Sequence, residues 1–542
     1  MTKRFTAIFF IVLGIVAFLC VGFFLVLILA PGTRIFGLMY VANDARAYNS
    51  KRVYLDKVLE DAGLTGFTGS ITVEASEVPI YVEYTESYEY ELHYYENYIG
   101  LTRTNIEKPK YEVSLDKKGG AVLKVKGFEK FIFENKASER FFKLYIPIVR
   151  IDTEAKGVYD LTIKSEKSDI SFYKTLGKTE IRDPYFNKVS IETAGNVSYD
   201  GLTIAKTYEL KTPNSIIVDD MHSSVAKATN YKLTSEKGKI TINSEVAGDL
   251  DLTTKNGDIK LVSCRNLTAT TEHGDIKCAV KGKKANIAGM VYIKTKSGKV
   301  ELGKVNGGDK NSIVTSSGKV VIDKIANGNI TTKRGSVVIK SVNNMQIETN
   351  TGKIAVEESL EALKVTTKRG KVTLGGDGMT MNNINVFSRI GRVYVLSASG
   401  TVKIETVSSN VEFKNKDSEN IKIVSGGKLT ATGLTGKVSI EALKNANLTF
   451  TKITDATNIK AGDKCKEIVV KALDNTAKDT RFAIEAKNAI RYEENDVGSG
   501  VFSTIEKGER LSNKIDSSYP AIVIEAKSAE VSIYFKAAPE QN

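Results

Sequence analysis

The chain has 542 residues, 26% of them charged and 42% hydrophobic, with 43 glycines, 8 prolines and a net charge of +13. That balance excludes disordered and collagen-like chains, and four cysteines over this length exclude a small disulfide scaffold. Three histidines far apart in sequence, His93, His222 and His273, give no basis for a histidine metal centre or triad, and the lack of tryptophan argues against a sugar-stacking platform.

From Phe5 to Ala30 no residue is charged. As a helix this run would extend about 39 Å, enough to cross a hydrocarbon core of about 30 Å. A cleaved signal peptide is the competing reading, with Lys3-Arg4 before the run and Ala30 as a cleavage position. Signal cores are only about 7 to 15 residues long, which favours an uncleaved anchor. Lys3 and Arg4 precede the span and only Arg34 follows closely. The positive-inside rule therefore points to a short cytoplasmic N-terminus and an extracytoplasmic remainder at the cell membrane.

Pro31-Gly32 ends the apolar run, and residues 31–66 read as a juxtamembrane stalk with a short helix over Arg46–Leu59. From residue 67 the period changes to two, with strands in ITVEASEVPIYVEY and FFKLYIPIV and a turn at Lys117-Lys118-Gly119-Gly120. Residues 81–98 hold seven tyrosines interleaved with glutamates. Tyrosine favours strands and cross-strand pairing, so this window reads as sheet rather than as a recognition face.

Near residue 233 a hexapeptide of the form x-Gly-polar-[Ile/Val]-x-apolar begins to recur. Its glycines are Gly238, Gly257, Gly274, Gly298, Gly318, Gly335, Gly352 and Gly370, then Gly391, Gly400 and Gly436. The first eight intervals are 19, 17, 24, 20, 17, 17, 18 and 21 residues, so one unit is close to 19. Three residues before each of the first ten glycines stands Ser or Thr, from Ser235 to Ser397, and apolar pairs such as Val337/Ile339 follow at plus two and plus four. These offsets share one parity on each side of the glycine, so hydroxyl and apolar side chains point inward from short strands. The glycine itself supplies a φ > 0 or crowded backbone position at a corner. A unit this short buries its apolar face only by stacking on its neighbours, which is a solenoid. The intervals near Gly391, Gly400 and Gly436 break the period, and the array is expected to become irregular there.

The T-x-x-G-[KD]-[IV]-x-[LIV] unit resembles bacterial candidate-adhesin domains of unknown function, built from stacked "T-x-S-G-D-I-x-V" coils. The likeness runs over roughly residues 67–535. ITVEASEVPIYVEY matches the leading strands, FKLYIPIV the strand that opens the solenoid, KSDISF and AGNVSY early coils, and IEAKSAEVSIYF a closing coil. The resemblance implies an all-β architecture and no agreed catalytic residues. The chain departs from the pattern by placing Lys where the family tends to have Asp, with only Asp258 and Asp275 keeping the acid.

The expected organisation is an all-β protein: cytoplasmic stub 1–4, transmembrane anchor 5–30, stalk 31–66, β-strand lead-in 67–165, β-solenoid of about 19-residue coils 166–440, irregular coils 441–536 and tail 537–542. Lys239, Lys299, Lys319, Lys353, Lys371, Arg392 and Lys437 follow the corner glycines and would align as a basic ridge, thickened by Lys255, Lys296, Lys333, Arg334, Lys368 and Arg369. Without Lys3 and Arg4, 75 basic and 64 acidic residues remain, a net charge of +11. The ridge reads either as a site for an anionic envelope polymer or another surface partner, or as solvated corners that discourage edge aggregation. Nucleic acid fits less well, because no aromatic residues interleave with the basic ones. Asp219-Asp220 with His222 reads as polar surface, and no phosphate loop or nucleophile elbow appears. No catalytic residue, metal site or cofactor is expected. Cys278 falls in an inward slot and reads as a core thiol. The chain is expected to be an adhesin or polymer-binding module. A self-associating scaffold and, less favoured, a polysaccharide-active enzyme are the alternatives.

Overall fold

A computed structural model of the chain describes residues 2–41, 48–49, 52–76, 78–97, 99–103, 111–125, 133–134, 139–147, 158–173, 186–200, 205–219, 229–278, 286–308, 310–472, 481–494, 503–505, 510–512 and 521–536. The apolar N-terminal run forms one helix, Thr2–Leu29. Its segment Phe5–Leu29 has a mean hydropathy of 3.2 and is almost wholly uncovered, so it is long and apolar enough to span a membrane. The stalk is less helical than its sequence spacing suggested. Strands Arg34–Ile35 and Leu38–Val41 pair with each other, Leu38–Val41 pairs further with Gly100–Thr102, and the described helix is Leu55–Asp61. The rest of the expected helix over 46–59 is either extended, at Tyr48–Asn49 and Val53–Tyr54, or outside the described residues.

The chain divides into two compact units, Met1–Thr253 and Thr254–Asn542. In the first, two parallel ladders already have solenoid character at residue 71. One runs Ala121–Val125, Ile71–Ala75, Tyr159–Ser165, Phe186–Thr193, Ala205–Thr212 and Asn230–Ser235. The other runs Glu139–Pro147, Ile80–Thr85, Ile170–Tyr173, Val197–Asp200, Ile216–Asp219 and Ile240–Glu245. The lead-in strands are therefore coils in their own right. Antiparallel partners cover the first rung of each ladder: Tyr111–Leu115 on Ala121–Val125, and Glu91–Asn97 on Glu139–Pro147. The Lys117–Gly120 turn joins the first of these pairs, closed by Asp116, whose Oδ1 accepts from the Lys118 and Gly120 N–H groups.

The tyrosine-rich window is sheet. Tyr84, Tyr90 and Tyr94 point into the core, while Tyr81 and Tyr95 lie half-buried on the other face. Tyr84, Tyr199, Tyr208 and Tyr231 form a buried column in which the Tyr199 hydroxyl lies 3.4 Å from those of both Tyr84 and Tyr208, and the Tyr208 and Tyr231 rings stack at 5.3 Å. Burial pushes the Tyr84 and Tyr199 phenols up, so they remain neutral donors inside the core.

The second unit continues the same plan. The strand before each corner stacks in register from Leu267–Thr271 through Val291–Thr295, Asn311–Thr315, and the C-terminal halves of Val320–Thr332, Val337–Thr349 and Ile354–Thr367. The strand after each corner stacks likewise, Ile259 on Ile276, Val300, Val320, Val337, Ile354, Val372, Val393, Val411, Leu429, Ala446, Ile468 and Val531. The stacking therefore continues through 391–472, with the expected irregularity confined to register shifts between Val395 and Thr401 and between Ala431 and Leu434. The spacing misled because Ser409 and Gly427 take over the corners there, while Gly400 and Gly436 belong to a different corner.

The core is a column of Val, Ile and Leu at alternate positions, with nearly every one of these side chains fully buried. Cys264, Cys278 and Cys465 are free and buried. Burial raises the Cys278 thiol to about 12, so it stays protonated and unreactive at neutral pH. The expected closing coil, within Ala521–Lys536, is not the last rung. Strand Arg481–Glu494 pairs parallel on its outer edge, and Ser503–Ile505 and Arg510–Ser512 pair antiparallel with that strand.

Ile339 is fully buried, whereas Lys340 is exposed and paired with Asp323 at 2.8 Å. Ile339→Asp places an unpaired charge in the core and should cost about 4 kcal/mol or more. Lys340→Gln loses only an exposed ion pair, worth about 1 kcal/mol at most. Thermal unfolding should separate the two variants widely; equal melting temperatures would contradict the register.

Candidate functional site

The corner of the second unit is built by T-x-x-G. Thr254, Thr271, Thr295, Thr315, Thr332, Thr349 and Thr367 are all buried. Each Oγ1 accepts the N–H of the glycine three residues on, at 2.8–3.1 Å. The glycines stack coil on coil so tightly that a Cβ on Gly274, Gly298, Gly318, Gly335, Gly352 or Gly370 would overlap the carbonyl oxygen of the preceding corner glycine. Crowding, and not a positive φ, is what demands glycine at these six positions. In the first unit Gly238 meets the Asn214 carbonyl in the same way.

This corner presents three columns to solvent: the two residues between Thr and Gly, and the residue after Gly. Backbone bonds hold the columns in step, among them Arg334 N to Ser316 O at 2.8 Å and Arg369 N to Asn350 O at 2.7 Å. The column after glycine runs Asp258, Asp275, Lys299, Lys319, Ser336, Lys353, Lys371, Arg392, Asn410 and Lys428, each about 4.8 Å from the next. Lys299, Lys319, Lys353, Lys371 and Arg392 thus align as expected, interrupted once by Ser336. Lys437 does not join them. It opens the strand Lys437–Ala442 and pairs with Asn420, on the strand that precedes the corner. Lys239 lies in the first unit, where its column neighbours are Ser215, Asn196 and Asp169, so no basic run forms there.

The start of the column explains what an acid does at this position. Asp258 Oδ1 accepts the Asp275 N–H at 3.0 Å, and Asp275 Oδ1 accepts the Lys299 N–H at 2.7 Å. Asn410 does the same for Lys428 at 3.0 Å. Lysine cannot accept, so Lys319, Lys353 and Lys371 give up this cross-coil bond and present a cation instead.

From Lys319 to Arg392 the three columns carry Lys319, Lys333, Arg334, Lys353, Lys368, Arg369, Lys371, Arg389 and Arg392 with no carboxylate among them. Before this stretch the charges are compensated. Lys299 pairs with Glu301 at 2.7 Å and Lys296 with Glu272 at 3.1 Å, and each cation holds its carboxylate below the usual range. Lys319 and Lys353 have no ion-pair partner among the described residues. At the far end Lys371 Nζ lies 4.5 Å from the centre of the Tyr394 ring, and Arg392 donates to the Tyr394 hydroxyl at 3.3 Å, which holds the guanidinium protonated more firmly. A shallow pocket of about 240 Å³ opens beside this tyrosine, lined also by Asn410, Glu412, Lys428 and Thr430.

Arg389, Tyr394 and Lys428 were not singled out in the sequence. Arg389 sits in a corner whose Ser-Arg-Ile-Gly departs from the hydrophilic pattern, and Lys428 follows a corner shortened by one residue, Ser425-Gly426-Gly427. Asp219 of the Asp219-Asp220-His222 group bonds Asn243, while Asp220 and His222 lie outside the described residues. Among the described residues no three His, Cys, Asp or Glu side chains are grouped to hold a metal ion.

A family profile described as Toastrack DUF4097 matches residues 68–357, more than half of the chain. The chain belongs to the Toastrack DUF4097 family. The match ends at residue 357, whereas the parallel ladder of this Toastrack chain runs on to the strand Ala521–Lys536. A crystal structure of a candidate cell adhesion protein from Clostridium sporogenes is also similar, at 10% identity over 44% of this chain and 92% of that one. Its TM-score of 0.19 carries no argument. No curated protein matches.

Thr332→Val keeps the shape of the corner but leaves the buried Gly335 N–H without its acceptor. It should cost about 1–3 kcal/mol, while Thr332→Ser should cost less. Denaturant midpoints test this; a Val variant as stable as the parent would remove the hydroxyl from the account.

Proposed function

We propose that the chain is a membrane-anchored, extracytoplasmic Toastrack solenoid that binds an anionic envelope polymer along its basic corner, without catalysis. The observation that carries this reading is that every corner from Lys319 to Arg392 bears at least one cation and no carboxylate, with lysines at all but one of the column positions from 319 to 371 in place of a residue type that bonds the next coil. A solvated corner needs only scattered charge of either sign. This one gathers a single sign on rungs about 4.8 Å apart, where like charges repel and Lys319 and Lys353 have no ion-pair partner among the described residues. A polymer with one negative group per repeat unit relieves that repulsion rung by rung. Tyr394 at the end of the ridge offers an apolar ring face beside Arg392 and Lys428, which suits a sugar or polyol carrying phosphate or carboxylate.

The helix Phe5–Leu29 supports the anchor, and Lys3-Arg4 before it support an outward-facing solenoid. The scaffold alternative is less well supported. End-to-end stacking needs a bare outer strand, and the outer edge of Arg481–Glu494 is occupied by two short antiparallel strands.

The purified full chain in detergent should be retained on immobilised teichoic acid, and retention should fall steeply with salt because exposed charges are screened beyond about 8 Å at physiological ionic strength. Lys319, Lys353, Lys371 and Arg392 changed together to glutamine should abolish retention. Lys437, Lys444, Lys452 and Lys460 changed in the same way lie off the ridge and should leave it nearly intact. Equal retention of both quadruple variants, or no salt-dependent retention of the parent, would overturn the reading.

A further inference from the structure

A second corner of the same unit, just before the strands that lead into T-x-x-G, carries a different chemistry. There the coils present two columns of amide side chains in register. Asn327 pairs with Asn344 and Asn329 with Gln346 on adjacent strands; Gln346 pairs with Lys364, and Lys364 with Asn385. Between the columns runs an open groove of about 510 Å³, floored by Gly328, Met345 and Leu363, with no carboxylate lining it. Ala362 stands where the neighbouring rungs carry Asn344 and Asn383, and leaves a notch in the groove wall.

The amides here divide into two kinds. Some are consumed by the fold. Asn311 is buried, donating to Asn327 O at 2.7 Å and accepting the Val291 N–H at 2.9 Å. Asn383, at φ 44°, donates to Glu361 O at 2.8 Å and accepts the Thr401 N–H at 2.9 Å. Elsewhere in the unit Asn306 donates to Asn286 at 2.7 Å, so the fold does bond asparagine to asparagine between coils where it uses them structurally. Asn327, Asn329, Asn344 and Asn385 do none of this. Their side-chain amides take no partner among the described residues, although Asn327 and Asn344 are register neighbours. Each keeps two donors and an acceptor directed at solvent within one groove.

We infer that this groove is a binding site for an uncharged, extended saccharide chain lying along the solenoid axis. Saccharide hydroxyls both donate and accept, as primary amides do, and a repeating ligand meets a free amide on three of four successive coils, at Asn327 and Asn329, at Asn344 and at Asn385, with Lys364 on the coil between the last two. The groove has no aromatic platform, so recognition is by hydrogen bonds, and affinity comes from repetition along the chain. Lys310 and Lys364 flank the groove and also donate to hydroxyls. The site stands independently of the basic ridge: it lies on a different corner and its interactions do not depend on screening.

The test is native affinity electrophoresis of the detergent-solubilised full chain in gels containing hydroxyethylcellulose or galactomannan, with chitohexaose titrated in solution. At least one of these should bind, with an affinity unchanged between low and high salt. Asn327, Asn344 and Asn385 changed together to alanine should weaken it about tenfold or more. Ala362→Phe, which fills the notch and leaves every amide in place, should weaken it comparably and guards against a folding defect in the triple variant. The four-residue ridge variant should bind these glycans as the parent does, so failure of the ridge reading and failure of this one are separable. Absence of binding to all three glycans, unchanged binding in both groove variants, or binding that falls with salt would overturn the inference.

Discussion

Seven coils of the second unit, from Thr254 to Gly370, turn their corner on one buried hydrogen bond, from a glycine N–H to the hydroxyl of the threonine three residues earlier. At the corner the backbone leaves one strand for the next, so this N–H has no ladder partner, and burying it unpaired would be costly. Threonine satisfies it from within the same coil, and its methyl group contributes to the core column. The glycine then lets the next coil approach until backbone nearly touches backbone, which puts the flanking strands within ladder distance. The parallel sheets, the buried Val and Ile columns and the alignment of the exposed corner residues all depend on this arrangement repeating.

Function follows from the repetition. A solenoid converts sequence position into a straight column, so a residue type repeated at one offset becomes a linear surface feature. The residue after glycine begins as aspartate bonding the next coil and changes to lysine, and a structural position becomes a charged edge. At the second corner asparagine does both jobs. Buried Asn311 and left-handed Asn383 hold the backbone, while the exposed amides beside them stay uncommitted. One scaffold thus carries a basic edge and a neutral polar groove, each spaced by the coil rise.

Much of this was legible in the sequence because inward positions recur with one parity. Val337, Ile339 and Thr332 are where periodicity puts them. The corner glycines were legible too, but the reason for them was not: φ and crowding leave the same residue, and only the stacked carbonyls decide between them. Gly400 and Gly436 head hexapeptides of the same form as the true corners, although Gly433 stands where Gly436 would need a hydroxyl residue, and their strands enter the corner and do not leave it. Only the ladder register, Thr401 on Asn420 on Lys437, reveals this, and it removes Lys437 from the ridge. The start of the solenoid was hidden by pairing out of chain order, since Ala121–Val125 stacks on Ile71–Ala75. The end was hidden likewise, since Arg481–Glu494 lies outside Ala521–Lys536. The amide groove left no trace in the sequence, because bonded and free asparagines are the same letter.

Hydrogen exchange at the corner tests the central claim most directly. Peptide-resolved exchange of the native chain should show the N–H groups of Gly298, Gly318, Gly335, Gly352 and Gly370 protected to the same degree as the flanking strands, released only when the array opens. Exchange at these corners at the rate of exposed loops, while the strands stay protected, would contradict it.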